Sequence, residues 1–190
     1  MNDTSKNNGV RIRHKRISDA KDDYSWQTDP ELARLDAAEP LTITYPQFLS
    51  EYTFDLCYPS SSRHEFAVET PDGLHIGNCV YYNVNKSENK TELGIMIGNR
   101  EYWNRGYGTI VISALLDYIF NRTSLEQVYL TTLEWNQRAQ KCFKKCGFQE
   151  HGTIQRDDHT FILMSINRFE WEKIRNTRSQ DRSVHTQSTP

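Results

Sequence analysis

Thr91-Glu92-Leu93-Gly94-Ile95-Met96-Ile97-Gly98 leads through Tyr102-Trp103-Asn104-Arg105-Gly106-Tyr107-Gly108-Thr109 into the apolar run Ile110 to Phe120, and this stretch decides the fold of the 190-residue chain. Leu93, Ile95 and Ile97 alternate with Glu92, Gly94, Met96 and Gly98, the pattern of a buried strand whose glycines admit close approach to its backbone. The run from Ile110 to Phe120 holds neither Gly nor Pro and is too long for an ordinary strand, so it reads as a helix. A glycine turn at a helix start leaves backbone N–H groups unpaired, and the helix dipole adds positive potential there, which favours a phosphate or pyrophosphate. Arg105 adds a full positive charge. Taken alone, Gly106 and Gly108 fit a plain strand-to-helix turn equally well. A P-loop needs Gly-Lys-Ser/Thr closing the turn, and a dinucleotide fingerprint needs a third glycine where Val111 stands, so both are set aside.

The turn resembles the acetyl-CoA-binding motif of the GNAT superfamily of N-acetyltransferases, Arg/Gln-x-x-Gly-x-Gly/Ala. Trp103 stands at the position usual for Arg or Gln, and Gly106 and Gly108 match the two small positions. The aromatic pair Tyr102-Trp103, followed by a basic residue, Gly, Tyr and a small residue, is similar to the RimJ/RimL-like branch, which acetylates ribosomal-protein N-termini. Asn104 departs from the glycine often seen there. A second signature follows at the expected distance: Asn136-Gln137-Arg138-Ala139, then Phe143-Lys144-Lys145-Cys146-Gly147-Phe148. It resembles the GNAT motif Asn-x-x-Ala with Tyr/Phe-x-x-x-Gly-Phe, in which Asn136 is a reasonable N-cap and Gly147 the expected C-cap.

Outward from these motifs, Val10 to Ile17 reads as a first strand, basic on its exposed side through Arg11, Arg13, Lys15 and Arg16. Ser18 or Asp19 caps a helix from Ala20 to about Trp26, and Pro30 fits the first turn of a second one through Leu35. Asp19-Ala20 and Tyr24-x-Trp26-x-x-Asp29-Pro30-Glu31 also resemble the N-terminal region of the RimJ/RimL-like branch. Pro40 and Pro46 bracket a loop before a helix from Gln47 to Leu56. Glu65 to Thr70 and Leu74 to Val84 form a hairpin about Pro71-Asp72-Gly73. Gln127 to Trp135 is a strand, with Val128, Leu130, Thr132 and Glu134 on one face. Strands over Phe148 to Gln155 and His159 to Asn167 follow, then a short closing helix over Arg168 to Arg175. Residues 1–9 and 176–190 are polar and expected to be flexible, which leaves one domain over 10–175.

The net charge of −2 gives no general reason to expect nucleic acid, and no apolar run or leader points to a membrane, so a cytoplasmic protein is expected. Cys57, Cys79, Cys142 and Cys146 lack metal spacing and read as reduced thiols, with the last two packed on one helical face. Between Asp19 and Asp55, nine acidic residues face only Lys21 and Arg34, a local net of −7. This imbalance suits either a wall that receives a cationic amine or a solvated helical face, and the solvated face is the simpler reading.

The resemblance implies an α+β GNAT fold: a twisted, mostly antiparallel sheet of about seven strands, flanked by helices and splayed between the Thr91 and Gln127 strands. It implies acetyl-CoA as co-substrate, with no metal. The pantetheine would lie along Ile95, Met96 and Ile97, and the pyrophosphate on the amides of Asn104, Arg105, Gly106, Tyr107, Gly108 and Thr109. Asn136 and Phe143 would border the arm. The reaction implied is direct attack of a neutral amine on the thioester in a ternary complex, aided by proximity and by a backbone N–H near Ile97 as oxyanion donor. Glu92 or Glu134 is the candidate base, acting through a water, with His64 and His75 weaker. The usual acid is missing, because Phe143 and Ala139 lack a hydroxyl; water, Cys142, Tyr81, Tyr82 or Tyr107 remain. A non-catalytic CoA-binding module of the same fold therefore stays open. The resemblance weights the acceptor toward a protein N-terminus, with polyamines and amino sugars as alternatives, and homodimerisation is common among such proteins.

Overall fold

Period-2 alternation and turn chemistry set a seven-stranded sheet in the order β1-β2-β3-β4-β5-β7-β6. A computed structural model describes residues 9–186, with side chains through 177. The strands are β1 (Arg11–His14), β2 (Arg63–Glu69), β3 (His75–Asn85), β4 (Lys90–Met96), β5 (Gln127–Leu133), β6 (Gln149–Arg156) and β7 (His159–Asn167). Every neighbouring pair is antiparallel except β4 with β5. The β2–β3 hairpin closes at Gly73, whose φ of +88° is open to glycine without strain, with Gly73 N–H donating to Thr70 O.

The helices are α1 (Ala20–Gln27), α2 (Pro30–Leu35), α3 (Tyr45–Cys57), α4 (Tyr107–Arg122), α5 (Gln137–Lys145) and α6 (Arg168–Thr186). Helix α4 buries Val111, Ile112, Leu115, Leu116 and Ile119 in the core, where Tyr118 meets Phe66 and Tyr81 of the sheet. Helix α2 starts as its sequence dictates: Asp29 Oδ1 accepts from Glu31 N and Leu32 N, and Pro30 fills the first turn. Among the described residues no helix is long and apolar enough to cross a membrane.

Some boundaries differ from the sequence reading. Strand β1 stops at His14, and Arg13 and Lys15 are not on an exposed side: their side chains are 11% and 8% exposed because Asp19, Glu69 and Asp23 draw them inward. Helix α3 begins at Tyr45, not Gln47, because Thr44 and Gln47 form a capping box and Pro46 is tolerated in a first turn. Strand β5 ends at Leu133, so Glu134 and Trp135 lie in a turn. Helix α6 continues to Thr186, beyond the Arg175 expected, with no Gly or Pro to break it. The remaining polar stretches at residues 1–8 and 187–190 lie outside the described residues.

Candidate active site

The parallel ladder between β4 and β5 holds only three register pairs, Lys90↔Gln127, Thr91↔Val128 and Glu92↔Tyr129. Beyond Glu92 the strands part. The opening forms a cleft of about 610 Å³ that crosses the sheet, from the α4 and α5 side to Leu32, Leu35 and Asp36 at the end of α2. Backbone groups of β4 that would have paired with β5 are left facing this cleft, a ready partner for an amide-bearing chain such as pantetheine.

All the cofactor candidates except Arg105 line the cleft. Ile95 and Met96 close β4, and Ile97 lies just past it with its carbonyl already taken by Trp103 Nε1–H at 2.6 Å. Asn104 and Gly106 hold left-handed backbone, φ +59° and +82°, which turns the chain so that Gly106 caps α4. Tyr107 and Gly108 then present first-turn amides with no intrahelical acceptor, whereas Thr109 N–H bonds back to Gly106 O at 3.1 Å. Gly108 has little room, since a Cβ there would sit 3.0 Å from Cys142 Sγ. Arg105 is exposed outside the lining. Asn136 Oδ1 caps α5 by accepting from Ala139 N, and Phe143 is buried edge-on against Phe148.

The two candidate bases differ. Glu92 is buried, 6% exposed, at the vertex where the strands separate, and accepts from Asn83 Nδ2 at 3.0 Å. Burial and then the Glu92 carboxylate, their register neighbour, hold the Tyr82 and Tyr129 phenols above their ordinary range. Glu134 is exposed in the turn after β5. Neither carboxylate lines the cleft. His75 is buried against Trp26 and His64 is stacked on Tyr81, both outside the lining.

Among the alternative acids, Tyr81 is buried in the core, with its phenol pushed up to about 12 by burial. Tyr82, Tyr107 and Cys142 line the cleft. The Cys142 thiol is drawn down to about 7, first by a hydrogen bond from Cys146, against burial and with help from Thr109, Lys145 and Arg138. Cys146 has one S–H proton, however, and Thr109 O lies 3.6 Å from its sulfur as a competing acceptor. The depression therefore belongs to the rotamer in which Cys146 turns to Cys142.

Several lining residues were not singled out from sequence. Arg138, Lys141 and Lys145 place three cations at i, i+3 and i+7 on the face of α5 that borders the cleft. Arg138 lies 3.8 Å from the Trp103 ring centroid, and Arg100 flanks the same ring at 5.5 Å while pairing with Asp29 and Glu31. On the opposite wall, Asp36 is open to the solvent of the cleft yet deep enough in its concavity that desolvation raises its carboxyl above the ordinary range, Arg63 opposing. Among the described residues Asp36 forms no salt bridge.

Known proteins are similar to this chain in sequence and in fold. Residues 10–149 match the acetyltransferase (GNAT) domain family. The chain is 22% identical over 148 residues to the uncharacterized N-acetyltransferase p20 of Bacillus licheniformis, covering 77% of this chain and 82% of the relative. It is 27% identical over 93 residues to an aminoglycoside N(6')-acetyltransferase type 1 of Klebsiella pneumoniae, covering 46% of each chain, so this match spans about half of that relative. The fold is similar to that of the spermidine N-acetyltransferase from Vibrio cholerae solved in complex with CoA and spermine, with TM-score 0.78 and 20% identity over 87% of this chain and 99% of the other. With that family matched across most of the sequence, the chain belongs to the GNAT acetyltransferase family.

Proposed function

We propose that this acetyl-CoA-dependent N-acetyltransferase acetylates a small cationic amine, of the polyamine or amino-sugar class. The observation that carries this reading is Asp36: a carboxylate with no salt bridge among the described residues, on the cleft wall opposite the cofactor turn. An ammonium entering there meets an unneutralised charge in a partly desolvated wall, where attraction is stronger than at an open surface. The relatives named for aminoglycosides and spermidine favour the same acceptor class over a protein N-terminus. The RimJ/RimL-like assignment rests on the sequence resemblance alone.

In this reading the pantetheine pairs along Ile95 and Met96, and the pyrophosphate sits on the free amides of Tyr107 and Gly108 with Arg138, Lys141 and Lys145 along the rim. The amine approaches from the α2 side, and direct attack on the thioester needs no covalent enzyme intermediate. Glu92 is the proton acceptor favoured by position, since it lies at the vertex of the splay while Glu134 is on an outer turn. The test is calorimetric titration with acetyl-CoA, then thiol release with spermidine, an aminoglycoside and a short α-amino peptide. Saturable binding with release confined to the first two is the expected result; release with the peptide alone rejects the acceptor class.

A further inference from the structure

Glu92 lies in the middle of a row that crosses three strands: its register partner on β3 is Tyr82 and on β5 is Tyr129. Register partners share a face, so the carboxylate lies between two phenols, and its charge acts on both. Asn83, held at φ +52°, donates to the carboxylate through Nδ2. The carboxylate is buried and shut off from the cleft, which it does not line. Of these three neighbours only Tyr82 lines the cleft, with its ring beside Gly94, where a Cβ would meet Tyr82 Cε1 at 3.7 Å. Asp36 acts electrostatically on the same phenol, which puts the two on one wall.

The geometry points to Tyr82 as a catalytic residue, a proton relay that connects the acceptor amine in the cleft to the buried carboxylate of Glu92. The relay rests on the proposed acetyl transfer. A phenol has one proton, and when that of Tyr82 turns to its register partner Glu92 the oxygen offers lone pairs to an incoming ammonium. As the ammonium gives a proton to Tyr82 Oη, the phenolic proton passes to Glu92, and the nitrogen lone pair becomes free. The C–N bond to the acetyl carbon then forms and the C–S bond breaks. The second nitrogen proton leaves with the CoA thiolate, giving amide and CoA thiol, while the proton on Glu92 returns to solvent. No separate protein acid is then required, which accounts for a hydroxyl-free Phe143 and Ala139.

The test is steady-state thiol release with acetyl-CoA, using both spermidine and an α-amino dipeptide, for the full chain and for Tyr82→Phe, Glu92→Gln and the double variant. Each single variant is expected to lower kcat by roughly 100-fold, with acetyl-CoA affinity within twofold of the parent. The double variant should be no slower than the slower single one, because the two groups act as a unit. The residual Tyr82→Phe rate should keep rising with pH toward the amine pKa, where the parent profile levels off. A Tyr82→Phe variant with parental kcat overturns the relay, as do multiplicative losses in the double variant or a parallel loss of acetyl-CoA affinity. Parent activity on the dipeptide but not on spermidine rejects the acceptor class and leaves the relay to be judged on the dipeptide. No release by the parent with either amine overturns both.

Discussion

Two groups of carboxylates meet opposite fates. At the corner where β1 enters α1, Asp19 pairs with Arg13, Asp23 with Lys15, and Glu69 of β2 with Arg11 and Arg13, all three acids under 3% exposed. At the cleft, Asp36 has no such partner among the described residues. Desolvation acts on both groups, but in Asp19 and Glu69 the guanidinium hydrogen bonds outweigh it and hold the carboxyls below their ordinary range, whereas in Asp36 it prevails. The difference teaches that burial alone does not mark a site. Neutralised acids stabilise the corner, and the acid left without a cation is free to recruit one.

The sharpest break of this contrast is Asp19→Ala. It strips Arg13 of a two-pronged partner and Arg16 N–H of an acceptor in a buried setting, where removing one member of an ion pair costs about 3 kcal/mol. In a chain of this size that lowers Tm by roughly 6–12 °C, measurable by calorimetry, with acetyl-CoA affinity unchanged. The pH dependence has the same origin. Folded carboxyls held below their unfolded value, about 4, stabilise the protein fully above that value and lose the contribution as pH falls through the lower folded one. The parent should therefore lose stability steeply below about pH 4, and Asp19→Ala less steeply. Equal acid slopes would remove the corner network as a source of stability.

Gly106→Trp breaks the other side of the comparison. Its φ of +82° disfavours any side chain, and the space around it is open, with nothing within 4 Å, so an indole would stand in the cofactor's path. A fall in acetyl-CoA affinity of at least about 100-fold, about 2.7 kcal/mol, is expected in titration calorimetry. The loss in Tm should stay smaller than that of Asp19→Ala. Unchanged affinity would reject the pyrophosphate placement.

The sheet, the glycine turn and the start of α5 were legible because they are local: alternation, φ-permissive residues and capping side chains act within a few positions, although Asp19, a candidate cap for α1, makes no side-chain cap bond and pairs with Arg13 instead. Thus Gly147 at φ +99° and Asn136 as the N-cap of α5 stand where the chain chemistry puts them. The fate of the acids was not legible, because charge alone does not say which cations turn inward. Arg13 and Lys15 fold onto Asp19 and Asp23, and Arg100 reaches back to Asp29 and Glu31, so four of the nine acids behind the net of −7 are spent on ion pairs with Arg or Lys. Of those nine acids only Asp36 lines the cleft. The α5 cations had a readable spacing, but only the packing of α5 beside α4 tells which face borders the cleft.

Asp36→Asn sharpens the contrast by keeping shape and removing charge. The KM for spermidine should rise about tenfold, the loss of one charge-assisted contact, with kcat within about threefold and Tm unchanged. Because the Asp36 carboxyl titrates above the ordinary Asp range of about 4, the parent KM should climb as pH falls toward and through that higher value. In the variant it should stay flat over the same interval. A parent KM that is level across that interval would place the amine elsewhere.

Trp103→Phe is the smallest and most selective change. Trp103 stands where the cofactor motif usually carries Arg or Gln, yet its indole does a backbone's work: Nε1–H holds Ile97 O at 2.6 Å and so ties the end of β4 to the cofactor turn. Phe keeps a ring for the Arg138 and Arg100 guanidiniums to flank but removes the donor, leaving the part-buried Ile97 carbonyl without its bond. A net hydrogen bond of this kind is worth about 1 kcal/mol, which corresponds to roughly a fivefold loss of acetyl-CoA affinity if the tie orders the strand edge for the pantetheine. A drop in Tm with affinity unchanged would instead show that the tie serves the fold alone. In either case Asp36 is untouched, so the spermidine KM should hold, which separates the cofactor edge of the cleft from its acceptor wall.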